Sequence, residues 1–495
     1  MKYFLAHDLG TSGLKSSLFS SEGQLIKSVL QEYQADIQGR EATQNPLILL
    51  HAVIKGSRQL ANVVNNQDIL AMSFSAQMNA CLLVDENGNP LHDTLIWADT
   101  RAEEQADQLI DKLGFDRIYK ITGNRASANY SLYKLMWLRD HKPEIYKKAY
   151  KMLQAKDYVS FKLTGNMVTD HSDASGTGAY DINQGIWSDE IINAANVEKD
   201  LFPDIINSIE PVGKLLPEMA EQMNLSGDTL VVAGGGDGPC ATVGAGCIGN
   251  DEFYLTYGTS AWIGGTTDEP VFDPNYALFC FSHIIPNKFM PLGTMQAAGT
   301  SYKYLKDLFE DFELSAKDYD QLANEVPIGS DGLVYLPYLI GERSPIWDPK
   351  ASAAFIGIRH HHDKSYYARA VLEGIAYNLE WILQSFRQTK DIKEMVITGG
   401  GAISPILRQI FADILNVDFI VPQNIQESTS IAAAIMAGIG SGYYSDFSVL
   451  EKFLIMKDKT KANLENVEKY QNYIPIFQKS YLNLKDVMTD LDNLR

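Results

Sequence analysis

The sequence predicts an α/β protein of two domains, and three observations carry that prediction. At 495 residues the chain is longer than one ordinary hydrophobic core accommodates. Short apolar strands repeatedly run into glycine-rich turns and alternate with segments of helical spacing. Finally, Asp8-Leu9-Gly10-Thr11-Ser12 returns half a chain later as Thr256-Tyr257-Gly258-Thr259-Ser260. Duplication of one fold explains this repeat, and chance stays an alternative because Gly299-Thr300-Ser301 is a third copy at no matching offset.

The first half begins with strands and becomes helical. Alternating and buried apolar runs predict strands at residues 2–7, 14–19, 25–33, 69–75 and 80–84. Helical spacing predicts helices at 46–65 and 102–113, the second ended by Gly114. Residues 115–225 are predicted to be mostly helical, with short connections.

The second half repeats the sequence of strands followed by helices. Strands are predicted at 230–236, 253–257 and 395–398. Helices dominate after residue 300, including a small apolar helix at 428–437. The charged tail beyond residue 445 is predicted to be peripheral helix.

Composition excludes several classes of function. The chain carries 62 acidic and 42 basic residues, a formal charge of −20, which argues against a nucleic-acid partner. Its four cysteines form no C-x-x-C pair, which argues against disulfides and zinc. No apolar run approaches the roughly 20 residues that span a bilayer, and the N-terminus lacks a signal-peptide pattern. We therefore expect a cytoplasmic protein without a membrane partner, and a homodimer stays open.

Four glycine-rich turns could each hold a phosphate. A turn of glycines and small hydroxyl residues presents successive backbone N–H groups, which bind anions. None of the four matches the Walker or the dinucleotide-binding pattern. They are Gly10-Thr11-Ser12-Gly13, Gly234-Gly235-Gly236, Gly258-Thr259-Ser260 and Gly399-Gly400-Gly401-Ala402.

Two acids stand against these turns. Asp8 directly precedes the first turn, where a carboxylate could hold Mg²⁺ beside bound phosphates. Asp237 directly follows Gly236, where it could accept a hydroxyl proton as that oxygen attacks phosphorus. The alternative is that both are ordinary turn residues, because aspartate is common in turns.

The motifs together resemble those of the FGGY carbohydrate kinases, which belong to the actin-like ATPase superfamily. The resemblance covers residues 2–440 and implies two ribonuclease-H-like domains, residues 1–246 and 247–495, with a catalytic cleft between them. The first domain would bind the sugar and the second would bind ATP. The motifs are His7-Asp8-Leu9-Gly10-Thr11-Ser12, Gln77-Met78-Asn79, Trp97-Ala98-Asp99-Thr100-Arg101, Thr122-Gly123 with Lys134, Gly234-Gly235-Gly236-Asp237, Tyr257-Gly258-Thr259-Ser260, Gly341-Glu342-Arg343-Ser344-Pro345 and Gly399-Gly400-Gly401-Ala402.

The resemblance also implies roles for individual residues. Asp237 would be the general base, and Asp8 would serve the Mg²⁺ of Mg-ATP. The phosphate contacts would be Gly10, Thr11, Ser12, Lys15, Gly258, Thr259 and Ser260. The adenosine would lie against Gly400, Gly401 and Ala402. The sugar would meet Gln77, Met78, Asn79, Arg101 and Asn129, besides Asp237.

The sugar itself stays open between two main candidates. Asn79 stands where xylulose kinases usually have histidine, and the W-x-D-x-R segment ending at Arg101 resembles gluconate kinases, so gluconate leads. A gluconate carboxylate needs a cation, for which Arg101, Arg125 and Lys134 are candidates, although Arg101 could instead pair with Asp99. Xylulose or another pentulose or polyol is the alternative. A regulatory actin-like ATPase without a sugar pocket is the non-enzymatic alternative.

Overall fold

The computed structural model describes residues 1–311, 313–423 and 427–494, and two seven-stranded sheets form its centre. In the first sheet the strand order is β5-β6-β4-β1-β2-β3, and β7 also pairs with β4. Its strands are β1 (Tyr3–Leu9), β2 (Gly13–Ser20), β3 (Leu25–Glu32), β4 (Ile69–Ala76), β5 (Pro211–Lys214), β6 (Leu230–Val232) and β7 (Gly235–Gly236).

The second sheet lies in the other half of the chain. Its strand order is β10-β11-β9-β8-β12-β13-β14. Its strands are β8 (Glu252–Tyr257), β9 (Ala261–Thr266), β10 (Phe279–Ser282), β11 (Phe289–Met295), β12 (Glu394–Thr398), β13 (Asp418–Pro422) and β14 (Met456–Thr460).

Both sheets share a common arrangement of their six central strands, while β7 and β10 have no counterpart in the other sheet. Strands β1, β2 and β3 form an antiparallel meander, and so do β8, β9 and β11. A strand parallel to the first follows in each sheet, then a second parallel strand and an antiparallel edge strand. The Gly10 and Gly258 turns join the first two strands of each meander, so the two copies occupy equivalent positions. This arrangement confirms the predicted α/β fold and agrees with duplication.

The third Gly-Thr-Ser copy has a different structure. Gly299 begins a helix instead of joining two strands, although its N–H donates to the Gly258 carbonyl at 2.9 Å. The third copy is therefore a helix start packed against the turn at Gly258.

Helices surround both sheets. The first half contains α1 (Pro46–Ala61), α2 (Glu103–Leu113), α3 (Phe115–Thr122), α4 (Ser131–His141), α5 (Pro143–Tyr146), α6 (Ala155–Thr164), α7 (His171–Ser175), α8 (Asp189–Ala195), α9 (Pro217–Met223) and α10 (Asp237–Gly244). The second half contains α11 (Gly299–Leu308), α12 (Ala316–Asn324), α13 (Lys364–Arg387), α14 (Pro405–Leu415), α15 (Ser428–Gly440), α16 (Leu464–Tyr470) and α17 (Ile474–Asp492). None of the helices that the structure describes is long and apolar enough to cross a membrane.

The helix ends follow their sequence signals. Helix α1 starts at Pro46 because the Asn45 side chain accepts a hydrogen bond from the Leu47 N–H at 2.9 Å. Helix α2 ends at Gly114, whose φ of 80° suits a residue without Cβ, as the sequence predicted.

Short strand pairs extend the fold where the sequence predicted helices and loops. Residues 115–225 hold helices α3–α9 but also several two- and three-residue strands, which are too short to leave a periodic signal. These and the other minor strands are Asp36–Gln38, Glu41–Gln44, Thr94–Leu95, Leu82–Val84, Lys151–Leu153, Val168–Asp170, Asp204–Ile206, Tyr180–Asp181, Ile186–Trp187, Val334–Leu336 and Ala354–Ile356.

The two halves share a core beside the glycine turns. Helix α15 belongs to the second half, yet its apolar residues pack with Phe4, Ala6, Ala71 and Val232 of the first sheet. This small, Ala-rich helix lets the sheet approach closely, and it brings residues 427–429 next to strand β1. The division of the chain at residue 246 stays a prediction.

Candidate active site

Asp8 and Asp237 meet where parallel strands end. Asp8 lies near the end of β1, and Asp237 is the first residue of α10, directly after β7. Both strands run parallel to β4, so their carboxyl ends share one edge of the sheet. Asp237 is exposed to solvent on one side, although protein atoms lie close around its carboxyl on the others. Desolvation by these atoms, reinforced by the charge of Asp8, raises the pKa of Asp237 to about 7.

The side chain of Asp8 accepts a hydrogen bond from a residue in the second half of the chain. Thr429 donates a hydrogen bond from Oγ1 to Asp8 Oδ2 at 2.8 Å. Burial raises the pKa of Asp8, and the nearby Glu427 adds to that rise, while Lys15 opposes it. Lys15 forms an ion pair with Glu427. A cation bound at Asp8 would relieve this crowding of negative charge, so the residues fit Mg²⁺.

The turn at Gly10, predicted to bind phosphate, is closed by hydrogen bonds. The Gly10 N–H donates to the Gly13 carbonyl at 3.0 Å, and the Tyr33 hydroxyl donates to the Gly10 carbonyl at 2.9 Å. Thr11 Oγ1 accepts a hydrogen bond from Trp97 Nε1 at 2.9 Å, and Ser12 is exposed. The indole of Trp97, itself 40% exposed, therefore links the phosphate turn to the predicted sugar pocket.

Gln77 and Asn79 flank Met78 in the sequence. Gln77 Oε1 accepts from Thr11 at 3.3 Å, and its amide nitrogen donates to Gln44 at 2.8 Å. Asn79 has a left-handed φ of 64°. Its buried Oδ1 has no hydrogen-bond partner among the residues that the structure describes. An unsatisfied buried acceptor of this kind suits a substrate hydroxyl.

Lys134 ties the predicted sugar segments together. Its buried ammonium donates to the carbonyl oxygens of Asn79, Ile96 and Asn129 at 2.8, 2.6 and 2.7 Å. Burial lowers the pKa of Lys134 to about 7. All three of its protons are engaged, so this residue is a support for the pocket. Asn129 itself donates from its side chain to the Trp97 carbonyl at 2.8 Å.

Arg101 is also engaged within the protein. Its guanidinium forms a two-point contact with Asp99, with Nε–Oδ1 at 2.9 Å and Nη2–Oδ2 at 2.7 Å. The same group stacks on the Trp137 ring at 4.8 Å. Asp99 in turn accepts from the Ala42 N–H at 2.8 Å. This arrangement matches the structural alternative that the sequence left open for Arg101.

The remaining arginines differ in their surroundings. Arg125 lies between the Phe115 and Trp347 rings, 4.7 and 4.6 Å from their centres, and donates to the Tyr276 carbonyl at 3.2 Å. Arg343 is half-buried, and its guanidinium has no hydrogen bond or ion pair with any described residue. The positive charge of Arg343 acts on the hydroxyl of Tyr130, the residue directly after Asn129, and opposes the rise of its pKa on burial. Sequence reasoning noted the motif of Arg343 but did not name it as a ligand.

The turn at Gly258, the second one predicted to bind phosphate, opens into a cavity. The Gly258 N–H donates to the Ser260 carbonyl at 2.8 Å, and Thr259 accepts from the Thr300 N–H at 3.1 Å. A cavity of about 900 Å³ lies beside it, lined by Gly258, Gly400 and Gly401 and by lysines of α11 and α12. Those lysines, Lys303, Lys306 and Lys317, carried no motif in the sequence. Gly401 lies so close to Tyr257 that a Cβ would stand 2.2 Å from its ring.

Ala402 lies behind this cavity. It is buried, and its carbonyl accepts from Arg408 Nη1 at 2.6 Å. It lines a second cavity, of about 510 Å³, together with Arg408 and Glu427. The fourth glycine-rich turn, Gly399-Gly400-Gly401-Ala402, therefore borders both cavities.

The two sheets are related in their central strands, each carries a glycine turn between its first two strands, and Asp237 beside the first has a pKa of about 7. These features are typical of a two-domain phosphotransferase of the actin-like ATPase type. Family comparison agrees: the N-terminal domain model of the FGGY carbohydrate kinases matches residues 3–244, and the C-terminal model matches residues 253–441. The chain belongs to the FGGY family of carbohydrate kinases. These enzymes transfer phosphoryl groups from ATP, with Mg²⁺, to a sugar hydroxyl.

Relatives of two substrate classes are similar over the full length. The chain is 33% identical to the xylulose kinase of Bacillus subtilis, with 100% of both chains covered. It is 29% identical to the gluconokinase of Bacillus licheniformis, covering 99% of this chain and 98% of the relative. Among solved structures, the gluconate kinase from Lactobacillus acidophilus aligns with a TM-score of 0.93 at 29% identity, covering 98% of each chain. The comparisons thus define a sugar kinase without selecting its sugar.

Proposed function

We propose that this kinase phosphorylates a hydroxyl of a neutral pentulose such as D-xylulose, with Asp237 as the general base. The observation that carries the proposal is the position and pKa of Asp237. A carboxylate with a pKa of about 7 is half ionised at neutral pH, and it can take a hydroxyl proton there. Its neighbour Asp8 is a separate carboxylate that would hold Mg²⁺ beside the phosphates.

ATP with Mg²⁺ supplies the transferable γ-phosphoryl group when bound. Asp8 would hold the metal, and the N–H groups of the turns at Gly10 and Gly258 would face the phosphates. Gln77 and Asn79 would orient the sugar so that its hydroxyl lies against Asp237. Positioning and charge stabilisation contribute most to phosphoryl transfer, which is why rigid turns suit this chemistry. Exclusion of water from the closed cleft would favour the sugar over hydrolysis.

The cations of the sugar pocket favour a neutral acceptor. Of the three predicted partners for a gluconate carboxylate, Arg101 is paired with Asp99 and Lys134 donates to three carbonyls. Arg125 is stacked between two aromatic rings. A carboxylate would have to break these contacts to bind. The xylulose kinases among the relatives also reach slightly higher identity than the gluconokinases.

Gluconate is the second candidate, and Arg343 favours it. This arginine has no partner among the described residues, and its motif resembles that of gluconate kinases. If gluconate is the substrate, Arg343 would bind its carboxylate. Removal of the Arg343 charge should then lower kcat/KM for gluconate, whereas it should change kcat/KM for a neutral pentulose little.

A coupled assay of ADP release separates the candidates. We expect D-xylulose to give the highest kcat/KM among xylulose, ribulose, gluconate and glycerol. Arg343→Gln should change kcat/KM for xylulose by less than about threefold, with Arg359→Gln as the matched control on an exposed arginine. If gluconate is the better substrate and Arg343→Gln lowers its kcat/KM about tenfold or more, the neutral-sugar proposal is wrong.

A cytoplasmic location and a homodimer remain predictions.

A further inference from the structure

A buried charged cluster lies behind the turn that carries Asp237. Lys156 is fully buried, and its ammonium pairs with Asp157, Asp170 and Asp173 at 2.7, 2.8 and 3.2 Å. One ammonium faces three buried carboxylates. Burial and the neighbouring carboxylates therefore raise the pKa of Asp173 well above its usual range. Such a cluster is costly to bury, and within the described part of the chain none of its four members has a hydrogen bond or ion pair with a predicted sugar or nucleotide contact.

Ser172 connects this cluster to the active site. Its Oγ donates to Asp170 Oδ2 at 2.5 Å and accepts from the Gly236 N–H at 3.0 Å. Gly236 is the residue directly before Asp237. The same Asp170 oxygen also accepts from the Ser172 N–H at 2.9 Å and from Ser208 Oγ at 2.7 Å. The Ser172 hydroxyl is thus fixed in direction by one carboxylate and meets one backbone N–H of the turn.

The turn needs an external support because it consists of three glycines. Gly234 has a φ of 73°, and a Cβ on Gly235 would lie 2.8 Å from Ser172 Oγ. A Cβ on Gly236 would lie 2.5 Å from the sulfur of Met78. Glycine permits this close packing, but it leaves the backbone with the greatest conformational freedom. The Ser172 bond restricts that freedom at the peptide adjoining the general base.

We propose that Ser172 is a positioning residue for the phosphoryl transfer. Lys156 fixes Asp170, Asp170 orients the Ser172 hydroxyl, and this hydroxyl holds the Gly236 peptide so that Asp237 faces the sugar. The inference rests on the proposed role of Asp237. Displacement of a general base by about 1 Å lowers the rate without removing the base, so the signature is a fall in kcat.

Ser172→Ala and Ser208→Ala form a matched pair. Each removes one hydrogen bond to the same Asp170 oxygen, but only Ser172→Ala frees the Gly236 N–H. We expect Ser172→Ala to lower kcat about tenfold or more, while the KM for ATP stays within about twofold. Ser208→Ala should keep kcat within about twofold at a similar loss of melting temperature. Equal losses of kcat in the two variants would overturn the inference.

A double-mutant cycle separates positioning from general damage. Asp237→Asn removes the base that Ser172 positions, so adding Ser172→Ala to it should lower kcat by less than about twofold further. An undiminished tenfold loss in that background would contradict the inference. A small effect of Asp237→Asn alone would instead refute the proposed base, which is a different failure. If Ser172→Ala does not fold, Ser172→Cys replaces it in the experiment. Cysteine has a similar size but a weaker hydrogen-bond acceptor, so this variant should also lower kcat.

Discussion

The raised pKa of Asp237 predicts a steep acid limb in the pH profile of this kinase. The perturbation is pH itself, since the base works only as a carboxylate. With a pKa of about 7 rather than the usual 3.8, about 1% of Asp237 is ionised at pH 5. We therefore expect kcat/KM for the sugar to fall about tenfold per pH unit below 7. An unperturbed aspartate would leave the rate flat down to about pH 5.

The assay is kcat/KM for the sugar between about pH 5 and pH 9 at saturating Mg-ATP. The pKa values of two neighbouring groups are also shifted: burial raises that of Asp8 and lowers that of Lys134 to about 7. Loss of the Lys134 charge would weaken the predicted sugar pocket, and this effect would appear on the alkaline side. Asp237→Asn is the control, because its residual activity should lose the acid limb. A midpoint below about pH 5 in the wild type would refute the assignment.

Thermal stability provides an independent test of the same pKa. The folded protein holds the Asp237 proton more tightly than the unfolded chain does, so ionisation of this carboxyl destabilises the fold. The destabilisation grows as the pH rises from about 4 to the folded pKa of about 7, and is constant above it. Asp237→Asn should therefore raise the melting temperature at pH 8 more than at pH 5, without ligands. An equal change at both values would contradict the raised pKa.

Three further substitutions test other parts of the site. Asp8→Asn should raise the Mg²⁺ concentration for half-maximal activity about tenfold, measured by Mg²⁺ titration of ADP release. Lys134→Met leaves three carbonyls of the sugar pocket without their donor, so the KM for the sugar should rise about tenfold at an unchanged KM for ATP. Gly401→Ala would press a methyl group into the Tyr257 ring, so it should raise the dissociation constant of ADP in calorimetry while leaving the sugar unaffected. A changed KM for ATP but not for the sugar in Lys134→Met, or weaker sugar binding but unchanged ADP binding in Gly401→Ala, would contradict the pocket assigned to that residue. An unchanged Mg²⁺ requirement in Asp8→Asn would contradict its role at the metal.

Local patterns predicted the parts of the fold that local chemistry determines. The turns at Gly10 and Gly258 could be predicted because glycine and small hydroxyl residues directly after an apolar strand indicate a turn. Strand β14 could not, because Met456–Thr460 is charged and exposed at a sheet edge. Its pairing with β13 comes from distant residues. A short edge strand with a charged surface carries no hydrophobic period to detect.

The site shows the same division. The positions of Asp8 and Asp237 at strand ends could be predicted from their turns, whereas two of the three carbonyls that Lys134 contacts, those of Asn79 and Ile96, are distant in the chain. A lysine in an apolar helix therefore appeared as a candidate for binding a carboxylate, although its ammonium supports the pocket. The Ser172 cluster was also missed. Asp170-His171-Ser172-Asp173 offered a local signal of clustered acids and hydroxyls, but its lysine comes from another helix.

ADP release with and without sugar, for the wild type and Asp237→Asn, tests most directly whether this protein is a sugar kinase with Asp237 as its base. We expect D-xylulose to raise the rate at least about 100-fold above hydrolysis by water. We also expect Asp237→Asn to lower that rate by about 10²–10⁴-fold while still binding ADP. Stimulation by none of xylulose, ribulose, gluconate and glycerol, or undiminished turnover in Asp237→Asn, would contradict it.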